Sequence, residues 1–587
     1  IGSYPLGGQN WNGYIDEVRV WNTARSQQEI QSVMHSSLRG TEAGLIGNWA
    51  FDENEGNVAH DKSTYENHGE IFNGFGWSHI NAPLDGTPSP VVVNVPDDYG
   101  SIQEAVDNAY PGDTVLVQPG TYYENVILNS HPVILTSLAG TTQDMSYIDQ
   151  TIIDAGSNGR AVQVEESAAG GELNGFTLQN GYVDIDSEDW PDNEATGLLL
   201  SNAHDFRAFN LFVKDNQGRW GGGISVNWSV NTHLENIRVE NNVSEAGAGI
   251  FYNGAGHGYA KDIMIVGNTA YNNGGGIYFY NGSNIEVVNL ISEWNNSNYG
   301  GGVLSYRRSH PTITNALIAN NIANISGGGI NLYRQSSLTL TNGTVYGNVA
   351  PDEGGSAATA GAESPLFLIN SIVWENTLND INETPSIFVE NSIVQFGYEG
   401  NNVLDINPMF IDPSNYDFHV SDGSLSIGAG LDLSDKISNS VRFRMRDSGG
   451  NGFPQNGSIQ NESGEVVLDI PAEDWGSEIS YGPFDLPNGH YVVNFDGAND
   501  SEVDETNWDI ITDSGWIVRY GGVRNSTRFT IGQSAVVNVD IENNLRPNPE
   551  GSNPDIGAFE SPLGGPLLVP DVTLSGTVFS SEDGSVL

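Results

Sequence analysis

Asn242-Val243-Ser244-Glu245-Ala246-Gly247-Ala248-Gly249-Ile250-Phe251-Tyr252-Asn253 is followed by a second stretch of the same plan, Asn268-Thr269-Ala270-Tyr271-Asn272-Asn273-Gly274-Gly275-Gly276-Ile277-Tyr278-Phe279-Tyr280. The glycine run recurs at Gly221, Gly247, Gly274, Gly300, Gly327 and, weaker, Gly354-Gly355, in steps of 26, 27, 26, 27 and 27 residues. Five or six residues ahead of each run stands an asparagine: Asn216, Asn242, Asn268, Asn295, Asn321 and Asn348. Two ladders locked to one period make each repeat one coil of a solenoid.

Each coil can be drawn from its repeat. Ile224, Ile250, Ile277, Val303 and Ile330 follow the glycines as an inward ladder. Two residues on, Val226, Tyr252, Phe279, Ser305 and Leu332 also point inward. A second strand carries Leu234 and Ile237, Ile263 and Ile265, Val287 and Leu290, Ile313, and Leu338. Coils stack at about 4.8 Å, so six add roughly 29 Å of cylinder. The asparagines are expected to stack at a turn, and the glycines to allow positive φ or close backbone approach.

Composition bounds the partners. The chain has 587 residues, 21 Lys plus Arg against 74 Asp plus Glu, a formal charge of −53, and no cysteine. Such a field repels nucleic acid and anionic membranes. Disulfides and cysteine-based metal sites are excluded. No apolar run reaches 18 residues, so a transmembrane helix is not expected.

The coils are flanked by other material. Ser101-Ile102-Gln103-Glu104-Ala105-Val106 reads as a capped amphipathic helix, followed by Gly112-Asp113-Thr114-Val115 and Pro119-Gly120-Thr121-Tyr122. This series resembles the entry into a right-handed parallel β-helix of the pectin-lyase-like superfamily. Asn407 to Pro413, Tyr416 to Val420, Ser426 to Gly430 and Pro554 to Glu560 resemble the closing pieces of secreted bacterial β-helix proteins. Near the N-terminus, Gly13 to Trp21, Gly44 to Asp52 and Asn67-His68-Gly69 resemble the end of a concanavalin A/laminin-G-like β-sandwich.

The expected architecture is all-β: a right-handed parallel β-helix with flanking and inserted β-sandwich domains. Its expected divisions are a partial sandwich at 1–82, a linker at 83–90 and the β-helix at 91–436. A sandwich inserted at 437–545, the closing segment at 546–562, and a linker with a truncated Ig-like start at 563–587 complete it. Further domains of a larger chain are expected at both ends. The resemblances imply an extracellular or cell-surface bacterial protein.

Chemistry is expected along the outward side of the first strands. Ser225 and Asn227, Phe251 and Asn253, Tyr278 and Tyr280, Leu304 and Tyr306, then Asn331 and Tyr333 point away from the core, with Trp228, Gly254, Asn281, Arg307 and Arg334 one step beyond. Only nine Lys and Arg lie between residues 91 and 434, and Arg307, Arg308 and Arg334 are three of them. Aromatics in line can stack on sugar rings, and arginine can fork onto carboxylate or sulfate. Trp228, Phe251, Tyr278, Tyr280, Tyr306, Arg307, Tyr333 and Arg334 are therefore the candidate carbohydrate site, with a polysaccharide or cell-surface glycan as partner. The same aromatics also serve a purely structural stack.

Binding or adhesion is the leading expectation, a polysaccharide-degrading enzyme the alternative, and a structural stalk or fibre the third. A lyase would draw on Arg307, Arg308, His310, His257 and Lys261, but no trio of carboxylates resembling the calcium cluster of pectate lyases lies beside the arginine edge. A hydrolase would need two carboxyls facing one cleft; Glu240 and Glu293 share a ladder position two coils apart, and Asp215 and Glu286 lie elsewhere. Asp184, Asp186, Glu188, Asp189, Asp192 and Glu194 crowd one enlarged turn and suit a hard cation such as calcium.

Overall fold

The computed structural model describes residues 15–70, 90–183, 196–431, 440–531 and 540–561, with short breaks inside all of these but the second. The expected linker at 83–90, apart from Pro90, the acidic turn at 184–194 and the tail at 563–587 lie outside the described residues. No described helix is long and apolar enough to cross a membrane.

The repeat winds as a right-handed parallel β-helix. Each regular coil runs through three strands, illustrated by Ile250–Asn253, Tyr259–Val266 and Thr269–Asn273. Equivalent strands pair in parallel, giving among the described residues a nine-stranded first sheet, a long second sheet and a five-stranded third sheet. Ile224, Ile250, Ile277, Val303 and Ile330 sit in one column of direct partners, all fully buried. Val226, Tyr252, Phe279, Ser305 and Leu332 form the second buried column, with Tyr252 and Phe279 stacked at 5.5 Å. Each buried aliphatic chain contributes about 1.5–3 kcal/mol, so the interior columns carry most of the stability.

The asparagine ladder is buried and continuous. Each Nδ2 donates to the Oδ1 of the next coil at 2.9–3.0 Å, from Asn216 through Asn242, Asn268, Asn295, Asn321 and Asn348 to Asn376. The same Oδ1 accepts the backbone N–H of the preceding asparagine, as Asn268 Oδ1 does from Asn242. Every amide also reaches a carbonyl of the coil before, such as Asn295 Nδ2 to Ile265 O at 3.0 Å. Backbone groups that a tight turn would orphan are thereby satisfied.

A second asparagine ladder runs through the middle of the long strands. Asn210, Asn236, Asp262, Asn289, Asn315, Asn342 and Asn370 all hold left-handed φ of 49° to 58°. That kink accounts for the three-residue step from Leu234 to Ile237, because one left-handed residue resets the in–out alternation. Register pairs Ile313 with Leu340, so Leu340 rather than Leu338 takes the inward position of its coil. Leu338 is buried as well, but it opens the strand and pairs with Leu366.

The helix Ile102–Asn108 buries Ile102, Ala105 and Val106. Ser101 Oγ accepts from Glu104 N–H, and Glu124 accepts from the N–H groups of Ile102 and Gln103. Glu124 thus supplies the helix start with an anion from 21 residues downstream. Residues 440–531 build two four-stranded antiparallel sheets around Val441, Phe443, Met445, Ile459, Tyr491, Val493, Trp508 and Ile510, a β-sandwich set inside the solenoid sequence. The chain then returns: Ile556 N–H donates to Ser426 O and Gly557 N–H to Asn370 O.

The described residues of 1–93, with 108–114, form a separate compact unit. Within it Val18–Trp21 pairs antiparallel with Leu45–Trp49, and Gln27–Val33 is a helix closed by a Ser26/Glu29 capping box. Asp61 is buried there and held below the usual carboxylate range: burial opposes ionisation, but the N–H groups of Asn48, Ser63 and Asn67 outweigh it.

Candidate functional site: an aromatic and arginine edge

The corner between the third and first sheets decides which outward residues reach solvent. Gly221, Gly247, Gly274, Gly300 and Gly327 turn the chain there with φ of 63° to 71°. A Cβ on Gly274 would stand 2.6 Å from the Cβ of Tyr278, and one on Gly247 2.7 Å from that of Phe251. The first outward side chain of each coil therefore lies directly over its own corner glycine. Phe251 and Tyr278 are each only 2% exposed, packed with Ala246, Leu304 and Trp220. This corrects their expected place at a contact surface: both point out of the solenoid, yet the corner folds over them. Burial accordingly pushes the Tyr278 hydroxyl well above its ordinary pKa, with Tyr280 and Tyr306 adding to the effect.

The second outward position behaves differently. Tyr280, Tyr306 and Tyr333 are register partners and stack at 5.9 and 6.0 Å, with interplanar angles of 12° and 23°. Exposure rises along the stack from half-buried Tyr280 to Tyr333 at 55%. One step beyond, Trp228, Gly254, Asn281, Arg307 and Arg334 all take left-handed φ between 52° and 63°. In Arg307 and Arg334 that conformation brings the guanidinium group back over the tyrosine column. The Arg307 guanidinium lies 5.8 Å from the Tyr280 ring centre and donates to its hydroxyl at 2.8 Å. Arg334 lies 5.6 Å from the Tyr306 ring centre. Both distances are within reach of cation–π attraction.

Among the described residues no carboxylate pairs with Arg307 or Arg334, whereas Arg207, Arg219, Arg238 and Lys261 all meet glutamates. In a chain of charge −53, two exposed guanidinium groups on an aromatic ledge leave a local site for an anion. Trp228 stands apart from this stack. It is 43% exposed and its ring lies on Gly254, where a Cβ would meet Trp228 Cε3 at 2.4 Å. Three coils, about 14 Å, separate it from Arg307.

The residues expected of a lyase do not converge. His310 is 1% exposed with Nδ1 3.0 Å from Ser337 Oγ. Lys261 belongs to the second sheet, held by Glu235 at 3.0 Å and Asp262 at 3.4 Å. The strand register places His257 level with His310 two coils away, but the latter ring is inside the turn. The calcium candidates Asp184, Asp186, Glu188, Asp189, Asp192 and Glu194 lie outside the described residues. Among the described residues no group of three His, Asp or Glu side chains could hold a metal ion.

No family model matches this sequence, and no curated protein does. Solved structures similar to it include the pectin methylesterase from carrot, 11% identical with a TM-score of 0.27, covering 55% of this chain and 84% of that one. The A-module of the mannuronan C-5 epimerase from Azotobacter vinelandii is 18% identical with a TM-score of 0.28, over 51% and 83% of the two chains. The enzymatically active domain of tailspike protein 4 from bacteriophage CBA120 is 10% identical with a TM-score of 0.33, over 86% and 78%. At these scores the likeness carries no argument, and the parallel β-helix stands on the strand pairing of the chain itself.

Proposed function

We propose that this chain is an extracellular or cell-surface modular protein that binds an acidic glycan along the Tyr280–Tyr306–Tyr333 ledge, in adhesion rather than catalysis. The observation that carries this reading is the pairing of three stacked tyrosines with Arg307 and Arg334, which meet no described carboxylate. Tyrosine faces take the C–H side of a sugar ring, and the guanidinium groups fork onto uronate or sulfate oxygens. Flanking modules, a concanavalin A-like sandwich on the N-terminal side among them, fit a modular surface protein. Binding without turnover fits the dispersal of His310 and Lys261 away from the arginines.

Calorimetric titration with polygalacturonate, alginate and chondroitin sulfate, against neutral dextran, tests it. At least one polyanion is expected to bind, with affinity falling as salt rises and about ten- to a hundredfold weaker in Arg307→Ala, the loss of one charge-assisted hydrogen bond of about 1.5–3 kcal/mol. Equal binding of dextran, or an unaltered Arg307→Ala variant, contradicts the reading. Release of unsaturated sugar from any of the polyanions would replace adhesion by lyase chemistry.

A further inference from the structure

We propose a second saccharide site, for a neutral sugar, formed by Glu293, Trp294 and Tyr416 where the second sheet meets the 413–420 segment. It is independent of the tyrosine and arginine ledge and shares no residue with it. Glu293 ends the strand Glu286–Glu293 in the outward column Glu240, Val266, Glu293, Ala319. Ala319 packs under Phe418, so the 417–420 strand walls one side of the column. Beyond Glu293, Trp294 turns out with φ 58° and is 47% exposed. Tyr416, with φ 63° and 55% exposure, meets it edge-on at 6.3 Å between ring centres. Two exposed aromatic rings nearly at right angles thus stand beside the strand end that carries Glu293.

That carboxyl group is itself incomplete. Glu293 Oε1 is buried and has no hydrogen-bond partner. Burial alone raises the Glu293 pKa to about 7, so near neutrality the group carries a proton it can donate. A buried polar atom without a partner is costly, and because Glu293 as a whole is only half-buried, a sugar hydroxyl would meet the carboxyl group from its solvent side. The titratable groups on the surrounding elements are Lys214, Glu240 and Tyr346 in the same column, Glu375 beside Tyr346, and Tyr416, Asp417, His419 and Glu542 on the closing segments. None of them hydrogen-bonds Glu293; Asp417 and Glu542 are engaged by His419, and Glu240 by Arg238. The closest described cation in the neighbouring column, Arg238, is two coils away and already paired. The His419 imidazolium is taken up by Asp417 and Glu542, so an anionic ligand finds no unpaired counter-charge among the described groups, while an uncharged sugar finds two stacking faces and a hydrogen-bond donor.

Calorimetric titration of the full chain with cellohexaose, mannohexaose and maltohexaose at pH 5.5 and pH 9 tests this. One of the three is expected to bind at pH 5.5, about tenfold more weakly in Trp294→Ala and in Tyr416→Ala. Above its pKa the protonated fraction of Glu293 falls about tenfold per pH unit, so wild-type affinity drops at pH 9. Glu293→Gln keeps a donor without a charge and is expected to lose much less affinity at pH 9 than wild type, any remainder coming from the fading of the His419 clamp beside Tyr416. Binding of none of the three, binding indifferent to both aromatic variants, or an equal alkaline loss in Glu293→Gln overturns the proposal. Arg307→Ala leaves this binding unchanged, which separates its failure from that of the acidic-glycan reading.

Discussion

Gly274 shows how one residue's backbone decides what its neighbours can do. Its φ of 63° and the 2.6 Å from a would-be Cβ to Tyr278 Cβ leave no room for a side chain. Gly274→Ala combines left-handed strain with a backbone-level clash, and a loss of about 2–4 kcal/mol is expected in denaturant unfolding. A change under about 0.5 kcal/mol would show that the corner relaxes freely. The glycine ladder was plain in the sequence, but its consequence for Phe251 and Tyr278 was not. Alternation says that both point outward, and only the angle between two sheets says that they are covered. Tyr280, Tyr306, Arg307 and Arg334 stay accessible because they lie farther from that corner. Glu293 was visible only as a repeat of Glu240, and no local pattern places the 417–420 strand beside its column.

At the scale of the element, the buried asparagine column holds the turn between the second and third sheets. Asn295→Ala removes two amide contacts along the ladder and leaves Asn268 and Asn321 each short of a partner. A loss of about 3 kcal/mol or more is expected by urea unfolding. Asn324→Ala, an exposed amide on the third sheet, should stay within about 0.5 kcal/mol. Equal effects at the two sites would mean that the ladder is decorative. The period of 26 or 27 residues made this column readable at once. The companion column from Asn210 to Asn370 keeps the same period, yet it sits inside strands where an asparagine reads as an ordinary outward residue. Its signal was the three-residue step between Leu234 and Ile237, which a regular strand cannot produce.

For the whole molecule, the question is how a solenoid closes after its sequence is interrupted by a sandwich. His419 bridges the two sides of the interruption: its ring nitrogens lie 2.7 Å from Asp417 Oδ1 and 3.0 Å from Glu542 Oε2, and the ring rests on Phe559 at 4.8 Å. Burial disfavours its charge, but hydrogen bonds to Asp417 and Glu542 outweigh this and raise its pKa above the ordinary 6.5. Only an imidazolium can donate to both carboxylates. The stabilisation is therefore complete below the unfolded pKa and fades as pH rises through the higher folded value. The melting temperature of His419→Gln should fall short of wild type at pH 6, and the gap should close by pH 9; a gap that widens with pH contradicts the clamp. The sequence marked both closing pieces and the foreign stretch between them. It held no sign that one histidine joins segments 123 residues apart.

The central claim is that an acidic glycan lies along stacked tyrosines under two arginines. A crystal structure with an oligosaccharide of whichever polyanion binds tests it most directly. Sugar rings are expected against Tyr306 and Tyr333, with a carboxylate or sulfate within hydrogen-bonding distance of Arg307 or Arg334. An occupied sugar elsewhere on the solenoid, with this ledge empty, would contradict it.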